Sequence, residues 1–136
     1  MRKERVIPRG IRNNNPLNIR IGNVWLGEVP NPTDKSFEQF VRMEYGIRAA
    51  CVLLRRYIRR YGRNTITSIV SAWAPSNENN TLAYIDKVAQ LSKVAADAPI
   101  KYEDKETMCA IIGAMCFVEN GQSVSEATIS KGYDMA

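Results

Sequence analysis

Apolar positions recur at helical spacing through most of the chain after residue 44 and lose that order before it. Ile47, Ala50, Leu54, Ile58 and Tyr61 form a stripe that predicts a helix from about Tyr45 to Tyr61, with Gly62 where a C-terminal cap belongs. Thr65 can cap a short second helix carrying Ile66, Ile69, Val70 and Trp73, which Pro75 ends. A third starts at Asn80 or Thr81 and turns Leu82, Ile85, Val88 and Ala89 inward. Asp104 caps a fourth that runs to about Val118 and stops at Asn120-Gly121; it is apolar nearly all round, which predicts a central position. Ser123 to Ile129 reads as a last short helix, and residues 132–136 read as a frayed tail.

The first forty residues lack this periodicity. Pro8, Pro16, Pro30 and Pro32 interrupt any helix, and Gly10, Gly22 and Gly27 mark turns. A short β-hairpin is expected here, with strands Leu17–Ile21 and Val24–Leu26 joined by Gly22-Asn23. Phe37 and Phe40 then anchor the chain to the core. The expected fold is mainly α: one small helical domain over residues 10–131, preceded by a flexible basic terminus, residues 1–9.

Composition changes this picture in three ways. A hydrophobic fraction of 45% in 136 residues allows a substantial core without disulfides or metals. Cys51, Cys109 and Cys116 make no disulfide framework and read as small buried residues. No apolar run approaches the length of a membrane span, and the basic start lacks the apolar region of a secretory signal, so synthesis in the cytoplasm is expected. If the protein acts outside the cytoplasm, another route must carry it there.

Histidine is absent. That excludes serine and cysteine hydrolases with a histidine base and disfavours zinc hydrolases. No cofactor or metal is expected, and carboxylates, tyrosines and lysines remain for proton transfer. The net charge of +5 concentrates on the first long helix, where Arg55, Arg56, Arg59 and Arg60 share a broad face with Arg48 and Arg63 nearby. Two readings stand: a solvated face, or a dock for a polyanion such as cell-wall polymer, lipid headgroups or nucleic acid.

Two segments carry chemistry. GIRNNNPLNIR, from Gly10 to Arg20, is followed by Trp25 and Gly27. Side-chain amides donate and accept without titrating, which suits sugars and peptide amides, although asparagine also builds turns by bonding its own backbone. WAPSNENNTLAY, from Trp73 to Tyr84, places Glu78 among polar residues at a helix junction. A carboxylate there can complement the helix dipole, or act as a general acid in a cleft.

GIRNNNPLNIR, Trp25 with Gly27, Phe37 and Phe40, GIRAA at Gly46–Ala50 and WAPSNENNT together resemble a family of short bacteriophage and prophage proteins, over about Arg9 to Val88. Its members are described as virion structural proteins or lysozyme-like cell-wall hydrolases. NPLNIR is also similar to a segment of bacterial glucosaminidases and lytic transglycosylases, where it follows the catalytic glutamate. Here only Glu4 precedes it, so that order is not met.

The resemblance implies a lysozyme-like domain that cuts peptidoglycan by a carboxylate general acid, as a lytic transglycosylase or muramidase. Glu78 is the first choice of proton donor, ahead of Glu44 and Asp34. Tyr84 would orient the acid or contact sugar, and Arg12, Asn15, Asn18 and Trp25 would shape the groove. The expected partner is peptidoglycan or a related polysaccharide, with other virion proteins beside it. The alternative is a non-catalytic virion or wall-binding protein using the same residues. Nucleic-acid binding through the arginine helix ranks last, because no nucleic-acid motif is present.

Overall fold

The computed structural model describes residues 6–75 and 78–136, with the side chains of 78 and 79 outside that description. Among the described residues the chain forms six helices: α1 Arg9–Arg12, α2 Met43–Tyr61, α3 Ile66–Trp73, α4 Glu78–Ser92, α5 Lys105–Asn120 and α6 Glu126–Met135. The fold is mainly α, as expected.

Capping chemistry sets most boundaries. Gly62 and Gly121, both at φ +66°, end α2 and α5 in the left-handed conformation that only glycine adopts without strain. Thr65 and Ser68 form a reciprocal capping box at the start of α3, while Asp104 and Ser125 accept the amide hydrogens of Thr107 and Thr128 at α5 and α6.

The core lies between the long helices. α5 packs against α4 and α6, and α2 packs along α6. Ile47, Leu54, Ile69, Val88, Met108, Ile112 and Met115 are fully buried within it. The expected frayed tail is instead part of α6. A Cβ on Gly132 would lie 2.4 Å from the Ile47 side chain, so the two helices touch through a missing side chain. Tyr133 stacks on Tyr102 and donates its hydroxyl to the Tyr102 carbonyl, and Arg48 donates to the Met135 carbonyl. These contacts give the tail a buried face, and that keeps it helical.

The N-terminal segment packs over the start of α2 and the end of α5. The expected hairpin does not form. Residues 36–41 run between two short extended stretches, with antiparallel bridges Arg20–Phe37 and Glu28–Phe40. Ile21 donates to the Ser36 carbonyl rather than to a neighbour across Gly22-Asn23. Gly22 is not among the positive-φ glycines, and a two-residue turn beginning on glycine needs that conformation. Residues 21–27 therefore cross from one outer stretch to the other, turning Trp25 toward the core and leaving Val24 95% exposed. Residues 1–5 of the expected flexible terminus lie outside the described residues; Arg9, its last residue, pairs with Asp34 at 2.7 Å.

Candidate active site

The asparagine run resolves into two kinds of side chain. Asn15 is fully buried: its Nδ2 donates to the carbonyls of Ile19 and Glu38, and its Oδ1 accepts from the Ile19 amide. Asn13 is also buried, donating to Asp34 and accepting from Gln39. Asn14, at φ +53°, donates to the Phe40 carbonyl. All three hold residues 34–40 against the loop, so Asn15, expected to line a substrate groove, has its amide spent on the chain's own backbone.

Asn18 behaves differently. It shares φ +53° with Asn14, yet its amide bonds to a side chain on another element. Its Nδ2 donates to Glu119 Oε1 at 3.1 Å, and the Tyr84 hydroxyl donates to Glu119 Oε2 at 3.0 Å. Three distant segments thus converge on one carboxyl group: the asparagine loop, the first half of α4 and the last turn of α5. Asn120, the next residue, locks the loop there by donating to the carbonyls of Pro16 and Cys116. A Cβ on Gly10 would sit 2.5 Å from Asn120 Oδ1 and 3.2 Å from Asn18 Oδ1, so only glycine permits this approach.

Burial raises the Glu119 pKa above the ordinary carboxylate value, and the two donated hydrogen bonds hold it back in part. Burial and the adjacent carboxylate also push the Tyr84 hydroxyl up, so it stays a donor. A half-buried carboxyl group with a raised pKa, fixed by two neutral donors, is suited to proton donation. No group of three or more metal-binding side chains occurs among the described residues.

The remaining expected residues fall elsewhere. Glu78 is the first residue of α4, and its side chain lies outside the described residues. Glu44 sits in the first turn of α2. Asp34 accepts from Arg9, Asn13 and the amides of Ser36 and Phe37, which hold its pKa far below the usual range and remove it as a proton donor. Arg12 is exposed and lines a polar hollow with Asn13, Thr33 and Lys35. Trp25 is half-buried; its amide donates to Glu28, and its indole N–H is buried without a partner. Glu28 also adjoins a second acidic group: burial and the neighbouring Glu28 raise Glu38 to about 7.

The arginine face of α2 is largely engaged by the chain itself. Arg59 pairs with Glu103, Arg55 and Arg59 lie over the Tyr102 ring, Arg60 lies over Tyr61, and Arg63 donates to the Ser68 carbonyl. The cysteines are free; burial pushes Cys51 and Cys116 up to about 12, which suppresses the reactive thiolate.

Sequence reasoning missed Glu119 because the fourth helix read as an apolar core element ending at about Val118. A signal was present. Glu119 falls three, four and seven residues after Cys116, Met115 and Ile112, on the buried stripe of an otherwise apolar helix. A carboxylate there must be paired or functional. The expected order of glutamate before asparagine fails along the chain, yet a glutamate reaches the segment from 101 residues downstream of Asn18.

No family model matches the chain. It is 39% identical over 131 residues to Protein P5 of Pseudoalteromonas phage PM2, an alignment covering 93% of this chain and 80% of the relative. The chain belongs to the phage P5 family. The resemblance to short phage proteins therefore holds at the level of a phage protein. Asn18, Tyr84 and Glu119 all fall in a chain related to P5 over nearly its whole length.

Proposed function

We propose that this P5-family protein cleaves glycosidic bonds in peptidoglycan, in the manner of a lytic transglycosylase or muramidase, with Glu119 as proton donor. The observation that carries the reading is the Glu119 carboxyl group, half-buried, raised in pKa and held by Asn18 and Tyr84. In a chain without histidine, such a group is a candidate acid held in place by two segments distant in sequence.

In the transglycosylase route, Glu119 gives its proton to the bridging oxygen as the C1–O bond breaks. A hydroxyl of the same sugar closes an anhydro ring on C1, and its proton returns to the carboxylate. One carboxylate suffices, which fits the surroundings of Glu119, where both partners are neutral donors. A muramidase would need a second carboxylate across the bond. Asn18 and Tyr84 keep places in the site, Asn18 and Tyr84 positioning the acid, while Arg12 and Trp25 are offered as outer sugar contacts.

The test is incubation of the purified protein with purified sacculi, followed by mass spectrometry of released fragments. Anhydro ends support the one-carboxylate route, and reducing ends support the muramidase route. Saturable binding without release of fragments would overturn cleavage and favour a non-catalytic virion or wall-binding protein.

A further inference from the structure

The polar hollow that Arg12 borders lies between α1 and residues 33–39, with a volume of about 630 Å³. Its floor is a closed network. Asn13 donates to Asp34 and accepts from Gln39, and Gln39 Oε1 accepts from the amides of Thr33 and Asp34. Asp34 also accepts from the Arg9 guanidinium twice and from the amides of Ser36 and Phe37, and its side chain is only 6% exposed. Asp34 is the sole acid among the lining residues, and Arg9 already matches its charge.

The rim is different. Arg12 and Lys35 are exposed, and neither pairs with an acid among the described residues. Two unpaired cations above a floor whose acid is neutralised make a site for an anion. The backbone narrows the kind of anion. A phosphate cradle draws on free main-chain amides. Here the amides of Thr33, Asp34, Ser36 and Phe37 all donate to side chains of the floor. A guanidinium fork with an ammonium beside it is what the rim offers, and the fork matches the two oxygens of a carboxylate.

Position ties the hollow to the acid. Arg9 and Arg12, three residues apart, share one face of α1 and line the hollow. Gly10, between them, meets the side chain of Asn120, the neighbour of Glu119. A glycan seated over Glu119 therefore has the hollow one helical turn to its side, where a branch of the polymer can reach it.

We infer that this hollow is a subsite for the peptide stems of peptidoglycan, with Arg12 and Lys35 holding a stem carboxylate. The choice of ligand rests on the cleavage reading given above, and it makes the outer contact of Arg12 a contact with the peptide branch. Peptidoglycan carries its free carboxylates on those stems.

The experiment is isothermal titration calorimetry of the full chain carrying Glu119→Gln, which is expected to hold substrate without consuming it. The titrants are a disaccharide-tetrapeptide and the same compound with its carboxylates converted to amides. Amidation should weaken binding at least about tenfold, and Arg12→Gln with Lys35→Gln should weaken binding of the acid form equally. Both positions are exposed, so the circular dichroism spectrum should not change, and Lys35→Arg, which keeps the charge, should retain binding. Salt should weaken binding of the acid form more than that of the amidated form. The parent chain is assayed in parallel for fragment release from sacculi. Carboxylate-dependent binding without release would uphold the hollow and remove the cleavage reading. Release accompanied by binding that ignores amidation and the Arg12 and Lys35 changes would do the reverse. Tighter binding of inorganic phosphate than of the acid compound would overturn the inference, as would no measurable binding of that compound.

Discussion

Asn15 and Asn18 belong to one short loop and carry the same amide, yet they do different work. Asn15 faces the chain's own backbone, makes three hydrogen bonds there and is fully buried. Asn18, half-buried, gives its amide to a carboxylate on α5. The first builds the loop, and the second uses the loop as a platform. Residue type alone does not separate these roles; the identity of the acceptor does.

The largest effect is expected at the building residue. Asn15→Ala removes three buried hydrogen bonds, leaving the Glu38 carbonyl and the Ile19 amide without that partner while the Ile19 carbonyl keeps the Glu38 amide, and it should cost about 3 kcal/mol of stability in denaturant unfolding. Asn18→Ala should cost only about 1 kcal/mol, yet lower fragment release from sacculi about tenfold. If the two variants lost stability equally, the division between them would fail.

Tyr84→Phe should have a smaller effect on rate and a definite sign in the pH profile. The Tyr84 hydroxyl donates to the ionised form of Glu119 and lowers its pKa, so its removal raises that pKa. A proton donor is active when protonated, so the alkaline limb of activity should move to higher pH. A limb that stayed in place would separate Glu119 from the rate.

A separate effect, on the pH dependence of stability, concerns Glu38, beside the loop rather than on it. Its folded pKa of about 7 exceeds its ordinary value of 4.5, so the native state holds a proton that the unfolded chain releases. Its contribution is fully present below the unfolded pKa and is lost as pH rises from about 4.5 through about 7. Stability measured across that window should fall in the parent and fall less in Glu38→Gln.

Helices were the most legible part of the chain, because period and caps agree. Gly62, Thr65, Asp104 and Gly121 mark boundaries that the fold keeps. The short strands were misjudged for a different reason. Ile21 pairs with Ser36 and not with a neighbour across Gly22, and pairing over that distance leaves no local pattern. The tail was misjudged because its anchors, Tyr102 and Ile47, lie on other elements. At the site, Asn18 and Tyr84 were legible as polar and aromatic residues in marked segments. Glu119 was not, because it sits at the end of a helix that reads as core.

Comparison of Glu119→Gln with Glu78→Gln in fragment release from sacculi tests the central claim most directly. Glutamine keeps the shape and can still face Asn18 or Tyr84, but it has no proton to give. Release should fall at least about a hundredfold in Glu119→Gln, with its fold intact by circular dichroism, and stay near the parent level in Glu78→Gln. Full activity in Glu119→Gln would contradict the account.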